Sequence, residues 1–252
     1  MNVNKNETVP KVLGGVPAVK EEVEKLKTNK KYSKYYPLVA KYLKYVLYEP
    51  ASEEAYPNGI RDKGRAGKTL SYFAEHPFAK EADLDEAEVV ALRLYTTPAF
   101  VAINEPLRNL EEGVEHPLPV LVTIFAEALR KLRLIGSYDM AAVSEMFLWR
   151  GMKNLKPSDE FKTRGGTELA HMSTTTDIKT AVEYSLSSES LIFMIVTKNA
   201  LQRGASLSWL SAFPTEEEIC FSPLTYLQPT GRTQVVEING MRFTIVEVAP
   251  SN

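Results

Sequence analysis

Apolar and polar positions change rhythm once along the chain. In the first half, apolar residues recur at helical spacing. "KEEVEKLKTNKKYSKYYPLVAKYLKYVLYEP", residues 20–50, reads as helix broken near Pro37, with tyrosines and leucines on the packing face and lysines toward water. "EADLDEAEVVALRLYTT", Glu81 to Thr97, predicts a helix with apolar Leu84, Val89, Leu92 and Leu94 and acids in its first turns. "HPLPVLVTIFAEALRKLRLIG" predicts another, starting after Pro119 and ending at Gly136, with Arg130, Lys131 and Arg133 near its C-terminus. Beyond it the runs become short and rich in β-branched or aromatic residues: "SEMFLWRGM", "ELAHMSTTT", "LIFMIVT", "EEEICFSPLTYLQPT", "TQVVEING" and "MRFTIVEVAP". "INGM" between the last two is a hairpin signal. One helix interrupts them, "TTDIKTAVEYSLS", with Thr176 or Asp177 as N-cap. The fold class is therefore α+β: a helical N-terminal part, then a mostly antiparallel, β-sandwich-like core. The predicted organisation is a helical extension over 1–60 and a domain over 61–252, helical at 61–136 and β-rich at 137–252.

Composition narrows this only a little. The 252 residues suffice for a sizeable core without staples, and a net charge of −2 gives no overall pull toward nucleic acid or membrane. The single cysteine, Cys220, excludes an intrachain disulfide and any paired-cysteine metal site. The three histidines, His76, His116 and His171, have no metal-ligand spacing, so no metal is expected. Spanning a membrane takes about 18–20 consecutive apolar residues, and no run reaches that length. "MNVNKNETVPK" has no apolar core of a secretory signal, so a cytoplasmic location or non-classical export is expected, the compartment itself staying open. The first fifty residues hold ten lysines and six of the twelve tyrosines but no arginine. That absence, on a chain that is not basic elsewhere, favours packed helices over a nucleic-acid surface. "GRAGKT", residues 64–69, imitates a nucleotide loop, but the position that loop requires to be glycine is Asp62, and no buried strand precedes it.

Three short features carry residue types that work together. Arg150 ends the apolar run "FLWRGM", where a planar guanidinium suits phosphate oxygens, and Gly151 lets a ligand approach the backbone. Ser173-Thr174-Thr175 form a hydroxyl triplet that either caps the next helix or lines a cleft. In "FPTEEEICF", extended alternation puts Glu216, Glu218 and Cys220 on one face and Glu217, Ile219 and Phe221 on the other. Two carboxylates in one cleft are costly unless a cation offsets them. Glycosidic chemistry supplies such a cation in its oxocarbenium-like transition state. An arginine for a diphosphate, hydroxyls, and a carboxylate for a ribose cation together point to cleavage of the nicotinamide–ribose bond of NAD.

The order Arg, Ser-Thr-Thr, Glu-x-Glu resembles the mono-ADP-ribosyltransferases of the arginine–serine–glutamate class, which holds vertebrate arginine-specific ecto-enzymes and clostridial binary-toxin enzymes. "WRGM", "STT" and "FPTEEEICF" carry the resemblance, joined upstream by "LYTTPAFVAINEPLR", with Tyr95, Phe100 and Asn104 matching the family's Tyr-x4-aromatic-x3-Asn, and by "RDKGRAGKTLSYF". It covers roughly residues 60–250, so 61–252 would be an ADP-ribosyltransferase catalytic domain. The resemblance implies NAD as substrate and no metal. It implies that Arg150 contacts the NAD phosphates, that the Gly151 backbone holds the nicotinamide carboxamide, and that Ser173, beside Thr174 and Thr175, supports the catalytic glutamate. Glu218 would bind the ribose 2′-hydroxyl and stabilise the oxocarbenium ion. Glu216 would receive the guanidinium of an arginine-bearing target protein. Tyr95, Phe100 and Asn104 would lie along the NAD, and Tyr184 would supply the aromatic near the nicotinamide. The loop "SLSWLSAFPT" would contact the target through Trp209 or Phe213, unless these anchor it. An NAD glycohydrolase and a catalytically inactive binding module on the same fold are the alternatives.

Overall fold

The structure is a computed structural model describing residues 8–57, 59–138, 145–238 and 240–251. The chain falls into two compact units, the first made of residues 1–132 with 210–213, the second of 133–209 with 214–252.

The first unit is helical. Helices α1 (Val9–Val12), α2 (Gly15–Leu26) and α3 (Tyr36–Tyr48) are followed by a small hairpin of β1 (Glu54–Tyr56) and β2 (Gly59–Arg61). Then come α4 (Leu70–Ala74), α5 (Pro77–Glu81), α6 (Glu86–Tyr95), α7 (Phe100–Arg108) and α8 (Pro119–Tyr138), the last crossing into the second unit. The break in the lysine- and tyrosine-rich segment falls between α2 and α3 rather than at Pro37. Pro37 sits in the first turn of α3, where a missing N–H costs no hydrogen bond. Tyr32, Tyr35, Tyr42 and Tyr45 are buried, and α2 and α3 pack on α6. The predicted helix from Glu81 is interrupted: α5 ends there, Asp83 takes a left-handed φ of 51°, and α6 begins at Glu86. Asp85 and Glu88 form a reciprocal capping box at that start. Gly136 does not stop α8, which opens at Pro119 and runs to Tyr138.

Helix α6 is buried along its length from Ala87 to Tyr95, so its charges need partners. Glu88 pairs with Lys131 at 2.8 Å, and Arg93 forks onto both Asp62 oxygens at 3.0 Å. Glu22 of α2 lends its carboxylate to the start of α8, accepting from Val120 and Leu121 amides at 2.7 and 3.0 Å. Burial raises the Glu22 pKa, and those two N–H bonds oppose the rise. The imitation nucleotide loop serves the segment Leu210–Phe213. Asp62 N–H donates to Ala212 O, Arg65 to Ser211 O and Arg93 to Leu210 O, while Thr96 accepts from Ala212 N–H.

The second unit is built on one eight-stranded sheet. Its strands are β3 (Met146–Lys153), β4 (Gly166–Glu168), β5 (Met172–Thr175), β6 (Ser190–Thr197), β7 (Ala205–Ser206), β8 (Glu218–Phe221), β9 (Thr225–Ile238) and β10 (Met241–Ser251). Their order is β4-β9-β10-β6-β3-β5-β8-β7; the β10–β6 pair is parallel and the others antiparallel. Helices α9 (Asp159–Arg164) and α10 (Ile178–Ser185) complete the unit, α10 capped by Asp177. The β9–β10 hairpin forms with Ile238 opposite Met241, its Asn239 lying outside the described residues. The two runs read on either side of Gly231 are one strand, β9, and a register irregularity between Val246 and Val248 lies opposite Pro229–Thr233. Leu148, Met172, Phe193, Ile195, Ile219 and Phe221 lie in its core, with Phe161 stacked on Phe193.

Candidate active site

Strands β3, β5 and β8 meet where the hydroxyl triplet sits. β3 and β5 pair at one position, Trp149 opposite Thr175, and beyond it they part. Arg150 reaches across the opening, donating from Nη1 to the Ser173 carbonyl at 2.7 Å, with Nη2 3.7 Å from the Glu168 carboxylate. On the other side, β5 and β8 pair Ser173 with Cys220 and Thr175 with Glu218. Residues opposite each other in an antiparallel pair point to the same face, so Ser173, Thr175, Glu218 and Cys220 share one.

Glu218 is 5% exposed in a strand whose four residues are all buried. Burial pushes its carboxyl up to about 7, a hydrogen bond from Ser173 lowers it, nearby Glu216 raises it and Arg150 lowers it. A carboxyl held near neutrality by enclosure, beside one cation and one acid, is a candidate functional position.

The extended reading of the three glutamates fails at its start. Pro214–Glu216 form a 3-10 turn, Glu217 takes a left-handed φ of 46°, and β8 begins only at Glu218. Pro214 favours such a turn. Glu216 and Glu218 therefore come together through a turn and not through strand alternation. Three successive threonines hold the turn and the start of β8: Thr175 Oγ1 donates to Glu216 O at 2.6 Å, Thr174 Oγ1 to Ile219 O at 2.7 Å, and Thr176 to the exposed Glu217 carboxylate. Thr174 and Thr175 are buried with their hydroxyls on these carbonyls. Tyr184, on α10, donates its hydroxyl to Glu216 Oε1 at 2.6 Å. Burial raises the Glu216 pKa, the Tyr184 bond lowers it and Glu183 raises it.

Gly151 has a packing reason for lacking a side chain. A Cβ there would stand 1.8 Å from the Ala181 carbonyl oxygen and 2.9 Å from the Ser185 amide nitrogen, so glycine lets α10 lie on β3. Phe213 is buried, edge-on to Tyr56 with centroids 5.4 Å apart, and Leu210, Ser211 and Ala212 are buried with it. It anchors this stretch and is not an exposed contact; Trp209 is half-buried and Thr215 exposed.

Tyr95, Phe100 and Asn104 belong to the first unit. Tyr95 is buried and stacked on Phe125 with centroids 4.3 Å apart, and its hydroxyl accepts from Asn104 Nδ2 at 3.2 Å. Phe100 lies edge-on to Tyr95 and is exposed.

Sequence reasoning missed Glu168 beside Arg150, and the Asp62, Arg65 and Arg93 anchors of 210–213. The Asp85-x-x-Glu88 capping pattern could have located the start of α6. No local pattern marks Glu168, eighteen positions from the arginine it approaches.

The fold, helices with a large, mostly antiparallel sheet, is the one seen in solved ADP-ribosyltransferases. The chain is similar in structure to Plx2a, an ADP-ribosyltransferase toxin from Paenibacillus larvae, at 16% identity and a TM-score of 0.52, over 73% of this chain and 95% of that one. It is similar to ADP-ribosyltransferase HopU1 of Pseudomonas syringae pv. Tomato at 17% identity and 0.53, over 71% and 85%. The type III effector XopAI from Xanthomonas axonopodis pv. citri aligns at 14% identity and 0.52, over 97% and 95%. No protein-family model matches the chain, and no curated protein matches it in sequence.

Proposed function

We propose that this protein transfers ADP-ribose from NAD to an arginine side chain of a target protein, releasing nicotinamide. The observation that carries the reading is Glu218, enclosed on β8 with Ser173 and Arg150 acting on its carboxyl. A fold alone does not fix an activity, so the site must carry the argument.

In this reading Arg150 grips the diphosphate, its guanidinium already oriented by the Ser173 carbonyl. Glu218 in its ionised form accepts a hydrogen bond from the ribose 2′-hydroxyl and faces the sugar carbon from which nicotinamide departs. The glycosidic bond breaks with its electron pair going to the nicotinamide nitrogen, so positive charge moves onto the ribose, where the buried carboxylate is worth most. A guanidinium nitrogen of the target then bonds to that carbon and loses a proton, which Glu216 is placed to take. The pKa of Glu216, raised by burial, suits a proton acceptor.

The sign of the pH dependence follows from Glu218. Its pKa is raised to about 7, and the charged form is the active one, so kcat/KM for NAD falls as pH drops through about 7. The cationic nicotinamide ring of bound NAD favours the carboxylate, so the corresponding limb in kcat lies lower.

Incubating the protein with NAD and agmatine, a small guanidine, tests the acceptor. Mass spectrometry should show ADP-ribosylated agmatine, and Glu216→Gln should raise the ratio of free ADP-ribose to modified agmatine by about tenfold or more. Free ADP-ribose alone from the wild type would identify an NAD glycohydrolase with water as acceptor.

A further inference from the structure

The turn that carries Glu216 is fastened to one segment, β5 with α10, at three positions. Thr175 holds its backbone carbonyl, Thr176 holds the neighbouring Glu217 carboxylate, and Tyr184 holds the Glu216 carboxylate itself at 2.6 Å. The segment is fixed at both ends. Thr175 Oγ1 also accepts from Asp177 N–H at 3.0 Å, Asp177 caps α10, and Gly151 admits α10 against β3. The ring of Tyr184 is partly exposed, and its hydroxyl donates to a Glu216 carboxylate oxygen. A phenol–carboxylate bond of this length is charge-assisted and directional.

We propose that Tyr184 is a positioning residue for the acceptor: its hydroxyl holds Glu216 in the orientation that receives the guanidinium. The inference rests on the transferase reading above and assigns the Tyr184 hydroxyl to the acceptor step rather than to NAD. The ring and the hydroxyl are separable, since Tyr184→Phe removes only the hydroxyl. The charged and titratable groups acting on Glu216 are Glu183 and Tyr184 on α10 and Glu218 on β8. Without the hydroxyl, burial and Glu183 act unopposed and the Glu216 carboxyl is held less firmly as its anion.

The test measures, for wild type and Tyr184→Phe, modified agmatine per nicotinamide released and the KM values for agmatine and NAD. Y184F should lower modified agmatine per nicotinamide by about tenfold and raise the agmatine KM more than the NAD KM. In a Glu216→Gln background, Y184F should add little further loss, because the two groups act as one unit. A wild-type ratio and agmatine KM in Y184F would overturn the inference while leaving the transferase reading standing. So would the full single-variant loss recurring in the Glu216→Gln background. No nicotinamide release by the wild type would remove the transferase reading and the inference with it.

Discussion

At the residue scale, Glu218 sets both chemistry and pH behaviour. Its folded pKa, raised to about 7, exceeds the unfolded carboxylate value of roughly 4.3. Between those values the folded state holds the proton and the unfolded state does not, so stability falls as pH rises through that window. The neutral isostere removes this dependence. Glu218→Gln should melt at the wild-type temperature near pH 4 and above it at pH 8, the difference amounting to about 3–4 kcal/mol at most. Circular dichroism melts at the two pH values measure it, and a variant less stable than wild type at pH 8 would contradict the burial argument. Arg150 carries a planar fork between the Ser173 carbonyl and Glu168. Arg150→Lys keeps the charge but loses the fork, and should raise the NAD KM by about tenfold in steady-state kinetics. Gly151→Ala drives a methyl group into the Ala181 carbonyl and should cost at least about 1–3 kcal/mol in denaturant unfolding.

At the element scale, helices here are closed by side chains from elsewhere in the chain. Glu22 satisfies the first amides of α8, and Asp85 with Glu88 does the same locally for α6. Glu22→Ala should lower first-unit stability by about 1–2 kcal/mol, read from chemical denaturation. The two cases show what a sequence displays. β3, β6, β10 and α10 with its Asp177 cap were legible because apolar periodicity and cap chemistry are local properties. The passage of α8 through Gly136 and the continuity of β9 through Pro229 and Gly231 run against the stop and turn signals that glycine and proline usually give, and Asp83 takes a left-handed backbone inside a helical pattern. Glu216, expected to be extended with the residues up to Phe221, lies instead in the 3-10 turn Pro214–Glu216. It is held by Thr175 and Tyr184, residues tens of positions away, and Glu217 accepts a left-handed backbone within it.

At the scale of the whole molecule, the chain builds a helical unit and a sheet unit, and returns Leu210–Phe213 to the first before β8, β9 and β10 complete the second. Arg150, Ser173 and Glu218 were singled out by residue type and by their order along the sequence, and the structure puts them on the neighbouring strands β3, β5 and β8. Two contacts were not legible: Glu168 beside Arg150, which no local pattern marks, and the bond of the Tyr184 hydroxyl to Glu216, since Tyr184 was singled out only for its ring. The fold is shared with ADP-ribosyltransferases at 16–17% identity, a level at which chemistry must be argued from side chains. No helix among the described residues is long and apolar enough to cross a membrane. The most direct test of the central claim is nicotinamide release from NAD at pH 8 by the wild-type protein and by Glu218→Gln. The account predicts release by the wild type and a loss of at least about a hundredfold in the folded variant. Equal release by the two proteins, or none by the wild type, would contradict it.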